Sequence, residues 1–440
     1  MIFGKNKEKE MEKVLGQQVH EQNYWSKVKK RFYKNSKAKW SLRILFVIIF
    51  IALFSDFIAN EKPIYCKIEG KTYFPILKQY AVDIGFSKWD TKFYQTPWSE
   101  QDYEKVIMPP IPYSHFSIDP NNTLHVSPTG NQNVPSTRYW HWLGTDQFGR
   151  DVTAGMIRGT RVALLVGIVS MSIASFIGIL LGAFAGFFGD HRLKMSRIRL
   201  WLNLIGLFFG YFYAVNVRGF TLSTASEKGI LGWELLKSIF IFFAIILLFN
   251  LLVTVLKRIP LLRKKVTIPI DVIIMRLIEI MNSIPALFLL LAATTILEQQ
   301  SIISVMVIIG LIRWTGIARF IRAELLRIRS LEYVEAAEAM GYSDWRIIIR
   351  HAIPNAIGPV LITIAFGIAS AILIEATLSF LGIGLASEEM TWGKLLSYAR
   401  DSSKYWWLAV FPGLAIFITV TLFNLIGDGL TDALDPKSKV

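Results

Sequence analysis

A chain of 440 residues that is 53% apolar and only 18% charged is too hydrophobic for an ordinary soluble protein of its size. Its net charge of +15 gathers beside apolar runs instead of on one binding face, which indicates membrane topology and anionic lipid and argues against nucleic acid as a partner. With a single cysteine, Cys66, no intrachain disulfide is possible.

Runs of about 17–25 apolar residues are long enough to cross a hydrocarbon core, and eight occur here. A basic tail, 1–42, precedes a first span at 43–59, read as an uncleaved anchor because no small-x-small cleavage site follows it. Residues 60–160 hold nine of the sixteen prolines, between Pro63 and Pro135, so no continuous helix fits there. The expectation is a loop-rich extracytoplasmic insert with short strands at "IYCKIEGKTYFPIL". Residues 161–198 contain the second span (162–188) and a cytoplasmic loop, and 199–256 form a two-span hairpin (199–215 and 236–256). Residues 257–428 carry the spans 272–297, 302–320, 356–377 and 406–427 with a polar loop at 320–355, and 429–440 form a C-terminal tail.

Lys and Arg near span ends stay in the cytoplasm. Residues 1–43 hold twelve cations against four anions, 189–200 four against one, and "KRIPLLRKK" at 257–265 five against none, whereas 60–160 holds ten of each. Both termini are therefore expected inside, with 60–160, 216–235 and 378–405 outside.

Motifs for nucleotide hydrolysis, metalloprotease or serine-hydrolase chemistry are missing: there is no G-x-x-x-x-G-K-[ST], H-E-x-x-H, C-x-x-C or G-x-S-x-G. The six histidines lack metal-ligand spacing, so no metal is expected, and His141 and His351 read as surface or interface residues. "EYVEAAEAMGYSDWRIIIRHAIPN" at 332–355 is more informative. Glu335, Ala336 and Ala337 sit in a good helix former, Gly341 stops it, "YSDWRIIIR" from Asp344 can start another helix, and Pro354 marks the start of the next span. Two short helices carrying Tyr333, Met340 and Trp345 make a knob that suits either a partner surface or the membrane face.

The spacing Glu335-Ala336-Ala337, then Gly341, then Pro354 resembles the EAA loop of ATP-binding-cassette importer permeases, with His351 as in the variant "RHAIPN" of the peptide branch. "HWLGTDQFGRDVTAGMIRGTRVALLVG" (141–167) and 375–436 are similar to the C-type permease subunit of dipeptide and oligopeptide importers, and "IANEKPIYCKIEGKTYFPILKQY" resembles the Yej-type subgroup. The resemblance implies an all-α polytopic membrane protein with a type I importer core of six spans, to which the hairpin 199–256 is an addition expected to pack at the periphery. It also implies a non-catalytic subunit of the bacterial inner membrane that binds no cofactor itself. Its expected partners are a sister permease, two cytoplasmic ATPase subunits that bind ATP, an extracytoplasmic substrate-binding protein, a peptide substrate and membrane lipid. Within the loop, Glu335 would anchor the knob, Ala336 and Ala337 would permit close approach, and Gly341 would supply the turn.

In "LGTDQFGRD", Gly144, Asp146, Gly149, Arg150 and Asp151 read equally as a tight turn capping a helix or as a docking point for a binding protein. Charges at membrane depth are costly; Arg276 and Glu279, three apart, suit mutual pairing, and Glu375 lies near the outer end of its span. A proton-coupled secondary transporter using Glu279 and Glu375 as relays is the alternative; a sensor in which 60–160 signals and the spans only anchor needs fewer spans than this chain has.

Overall fold

In the computed structural model, the structure describes residues 24–91, 93, 96–227, 231–256, 264–296, 301–383, 389–401 and 403–435. The basic tail before residue 24 and most of "KRIPLLRKK" lie outside the described residues. The chain folds as two compact units, Met1–Leu180 with Ile280–Val440, and Leu181–Glu279.

The first unit begins with α1 (Tyr24–Lys34) and α2 (Ser36–Leu53), the latter capped by Asn35, whose side chain accepts from the Ala38 N–H. The first candidate span thus starts earlier than residue 43 and breaks at Phe54, before the short α3 (Ser55–Ile58). Its 18 residues include Lys37, Lys39 and Arg43, so only its later part is apolar. The expected strands in the insert form as β1 (Tyr65–Ile68) and β2 (Lys71–Tyr73), and β3 (Lys105–Ile107) pairs antiparallel on the other side of β1. Cys66, Ile68, Phe93 and Trp98 bury between this sheet and the loops, giving the insert a small aromatic core of its own. Helix α4 (Pro75–Asp83) follows the sheet, with proline at its start where the missing N–H costs nothing.

The membrane bundle is built from α5 (Val152–Ala183), α10 (Ala286–Ile296), α11 (Ile302–Ile328), α14 (Ile353–Phe380) and α16 (Trp406–Leu434). Helix α14 joins two buried clusters: Ala369 and Ile372 pack with Leu164, Trp392 and Phe423, whereas Ala371 and Leu378 pack with Val166, Leu290 and Ile309. Helices α5 and α11 cross closely because each presents glycine to the other. A Cβ on Gly178 would stand 2.8 Å from the Trp314 carbonyl, and one on Gly310 2.9 Å from the Ser170 carbonyl. Small residues at such crossings let backbones approach where no hydrophobic force separates helix from lipid.

The second unit holds the hairpin, α6 (Arg197–Tyr211) and α8 (Leu231–Leu256), with the short α7 (Gly219–Glu227) between them. Asn250 Nδ2 donates to Asn203 Oδ1 at 2.9 Å, and Gly206 and Gly210 take the rings of Phe249 and Phe242. Two strands that the sequence reading missed, β4 (Lys194–Ser196) and β5 (Lys265–Thr267), pair antiparallel, so the unit extends well past 199–256 at both ends. Only 6% of the apolar window of α8 is buried, leaving Phe240, Phe243, Leu247 and Leu251 exposed as lipid-facing residues would be. The unit ends at Glu279, within α9 (Ile270–Ser283).

Among the described residues six helices, or seven if the bent pair α9 and α10 is one span, are long and apolar enough to cross a membrane, against the eight expected; α2, where the first span was expected, is not among them because Lys37, Lys39 and Arg43 interrupt it. The expected span 272–297 is broken in this way at Ile284-Pro285, where the proline ring removes an N–H and displaces the preceding carbonyl. The fold is an all-α polytopic bundle with a loop-rich insert.

Candidate functional site

The polar loop folds as α12 (Glu332–Ala339) and α13 (Asp344–Ile347) joined at Gly341. Gly341 has φ +79°, its N–H donates to the Glu338 carbonyl at 2.9 Å, and the Tyr342 N–H donates to the Ala337 carbonyl at 3.1 Å. This pair of bonds is a Schellman C-cap, which satisfies carbonyls that the helix end would otherwise orphan and which favours glycine at the left-handed position. Val334, Ala337, Ile347 and Ile348 are buried and hold the knob to the rest of the unit. The opposite side exposes Tyr333, Met340, Trp345 and Ile349, with Glu335, Ala336 and Asp344 among them. Ala336 therefore faces outward as the close-approach reading requires, but Ala337 faces inward and packs against this chain. Arg346 lies 4.4 Å over the Tyr342 ring, a cation–π contact that stiffens the turn. Pro354 stands in the first turn of α14, and a π-helical turn, Ile348–Ala352, connects α13 to it without a loop.

The turn 144–151 is also well defined. Asp146 Oδ1 accepts from the N–H groups of Phe148 at 2.8 Å and Arg150 at 2.9 Å, closing an Asx turn between Gly144 (φ +78°) and Gly149 (φ +85°). A Cβ on Gly149 would meet the Asp119 carbonyl at 2.4 Å, so only glycine fits. Asp151 Oδ1 accepts from the Ala154 N–H at 2.6 Å and caps α5. Its other oxygen meets His141 Nδ1 at 2.8 Å, and His141 Nε2 lies 3.3 Å from Asp119 Oδ2. Far from being a surface or interface residue, His141 is fully buried, because its ring bridges two carboxylates and stacks on Tyr113 at 4.5 Å. Burial pushes its pKa down, but the hydrogen bonds and charges of Asp151 and Asp119 outweigh that and the net direction is upward. Burial likewise pushes the Asp146 carboxyl up, against the pull of its backbone donors. Asp146 and Asp151 are 1% and 2% exposed, so neither side chain is available to a docked protein, and Arg150 spreads over the Phe148 ring at 4.9 Å.

The intramembrane charges separate. Arg276 and Glu279 on α9 pair with each other at 2.6 Å and are exposed. Glu375 is 2% exposed, accepts from the Ser379 hydroxyl at 2.6 Å and also bonds Thr391, at the N-cap of α15 (Trp392–Tyr398). It thus ties α14 to α15 within this chain. Sequence reasoning missed Asp119, His141 and Arg313; Arg313 lay in plain view, as a cation inside the apolar run 302–320.

Two family models match this chain: the binding-protein-dependent transport system inner membrane component over residues 264–440, which contains the knob, and the N-terminal TM domain of oligopeptide transport permease C over 23–75. Over these stretches the chain is similar to the permeases of binding-protein-dependent ABC importers. It is 29% identical over 417 residues to the inner membrane ABC transporter permease protein YejE of Escherichia coli, covering 93% of this chain and 96% of that protein. To the peptidoglycan transport system permease protein YejE of Agrobacterium fabrum it is 25% identical over 441 residues, 94% of each. The oligopeptide transport system permease protein OppC of Salmonella typhimurium matches at 41% over 171 residues, 39% of this permease and 56% of that one. Together with six membrane-length helices among the described residues, these matches support a multi-pass inner-membrane permease of an ABC importer.

Proposed function

We propose that this permease carries peptides inward as one half of a translocation path completed by a sister permease, driven by two cytoplasmic ATPase subunits and supplied by an extracytoplasmic binding protein. The reading rests chiefly on the knob. Its Schellman turn projects Tyr333, Met340, Trp345 and Ile349, with Glu335 and Asp344, away from the chain's own core. Exposed aromatic and aliphatic side chains rimmed by carboxylates suit a protein cleft better than water. Glu335, Ala336, Gly341 and Asp344 are the coupling residues, Ala337 and Pro354 support them from behind, and ATP is bound by the partners. Gly144, Asp146, Gly149, Arg150 and Asp151 set the outer start of α5; a binding protein docking here would touch Arg150 and Phe148, not the buried aspartates. Both termini lie in the cytoplasm in this scheme, consistent with the Lys/Arg excess at 1–43. The peptide class is supported by the names of the relatives above. Self-sufficient proton coupling is disfavoured, because Glu279 is neutralised by Arg276 and Glu375 is enclosed. Co-purification tests the proposal: an ATPase pair and a second permease should accompany the tagged chain, and uptake should require ATP. Uptake by this chain alone under a pH gradient would overturn it.

A further inference from the structure

The search for unexplained features ends on α11 and α14. Arg313 lies near the middle of α11, about 17 Å of helix from Ile302, inside a candidate membrane span. Among the described residues its guanidinium has one hydrogen-bond partner, the Ser370 hydroxyl of α14, and no carboxylate within ion-pairing distance. The two arginines near the outer end of α5 are by contrast neutralised: Arg161 pairs with Asp56 at 2.6 Å and Arg158 with Glu389 at 3.2 Å. A charge at this depth is expensive, and it persists where it faces a water-filled cavity or meets an opposite charge.

Ser370 belongs to a stripe of α14 that its own chain leaves partly uncovered: Thr363, Phe366, Ser370, Leu373 and Thr377, spaced three, four, three and four residues apart, so that they share one helix face. Phe366 and Leu373 are 37% and 44% exposed. The exposed residues Phe240, Phe243, Leu247 and Leu251 of α8 carry no polar atom, as contact with lipid demands, whereas this stripe alternates hydroxyls with apolar side chains and meets a cation at its middle, Ser370.

Building on the reading of this chain as a peptide importer permease, we propose that the Thr363–Thr377 face of α14 lines the translocation path and that Arg313 is a binding residue for a carboxylate of the passing peptide. Five N–H donors in a planar fork suit a carboxylate at two points. Holding the guanidinium to Ser370 by one bond leaves its other donors for the cargo. The carboxylate is either the peptide's C-terminus or an acidic side chain.

The test uses the complete importer in proteoliposomes with three radiolabelled peptides of equal length: a neutral tripeptide with a free C-terminus, its C-terminal amide, and an amide carrying a central glutamate. Wild type should take up one or both carboxylate-bearing peptides at least about tenfold faster than the neutral amide at limiting concentration. Preference for the free acid assigns the C-terminus, and preference for the glutamate amide assigns the side chain. Arg313→Met should erase the preference among the three peptides, and Arg313→Lys should restore part of it. Retention of the full preference in Arg313→Met overturns the proposal. So does equal loss of all three peptides, or loss of the sister permease on purification, which would assign Arg313 to an ion pair between subunits. Wild type taking up none of the three would refute peptide import itself, a failure visible before any variant is made.

Discussion

Replacing Gly341 isolates the turn of the knob from everything around it. A Cβ built there has no neighbour within 4 Å, so a substitution creates no clash and its cost is the backbone's alone. At φ +79° an ordinary L residue costs about 1–2 kcal/mol, asparagine less, and a β-branched residue more. The turn is held by two main bonds, from Gly341 and Tyr342 to the carbonyls of Glu338 and Ala337, each worth about 1 kcal/mol net. A penalty of about 2 kcal/mol is therefore comparable with what holds the turn closed, and it would shift the ratio of closed to open turns by about 30-fold. Gly341→Asn, Gly341→Ala and Gly341→Val should weaken ATPase association in that order, measured by binding to the detergent-solubilised permease. Expression and membrane insertion should hold, because α14 does not depend on the turn. Wild-type affinity for Gly341→Val at normal expression would refute the reasoning, as would equal losses for valine and asparagine.

Because the net shift of His141 is upward, its contribution to stability is fully present below the unfolded pKa of about 6.5 and is lost as pH rises through the folded value. The melting-temperature advantage of wild type over His141→Gln should therefore shrink from pH 6 to pH 9, and an advantage constant with pH would contradict the carboxylate bridge. Glu375→Val should cost about 1–3 kcal/mol by leaving the hydroxyls of Ser379 and Thr391 without their acceptor, whereas Glu375→Gln should retain most of the stability; equal melting losses would show that hydrogen bonding is not what the site provides. In a Cys66→Ala background, single cysteines in 60–160 and 216–235 should react with an impermeant reagent added outside, and outside labelling at 264 or 265 would break the proposed orientation.

Much of the architecture was legible because membrane helices announce themselves through apolar runs. The strands at Tyr65–Ile68 and Lys71–Tyr73 were legible as well, from β-favouring residues around Glu69-Gly70, which adopt positive φ and turn the chain back. The β4–β5 pairing was not, since it joins three-residue segments about seventy positions apart and leaves no local pattern. Ala336 and Ala337 are identical in sequence, and only the helix phase set by Val334 sends one outward and the other in. His141 escaped for a related reason: its partners Asp119 and Asp151 lie 22 and 10 residues away, and a lone histidine carries no mark of the carboxylates that the fold brings to it.

The π-helical turn at Ile348–Ala352 has a mechanical consequence. From Asp344 to Phe380 the chain is a single helical run of 37 residues, about 55 Å end to end. Trp345 at one end and Glu375 near the other thus belong to one rod. A displacement imposed at the knob is delivered to the outer end through continuous helix, weakened within only where Pro359 removes a main-chain hydrogen bond, and a left-handed turn interrupts the chain on the Gly341 side. Compliance in this permease is placed ahead of the rod, where the drive would be received, and stiffness within it, where the stroke would be transmitted.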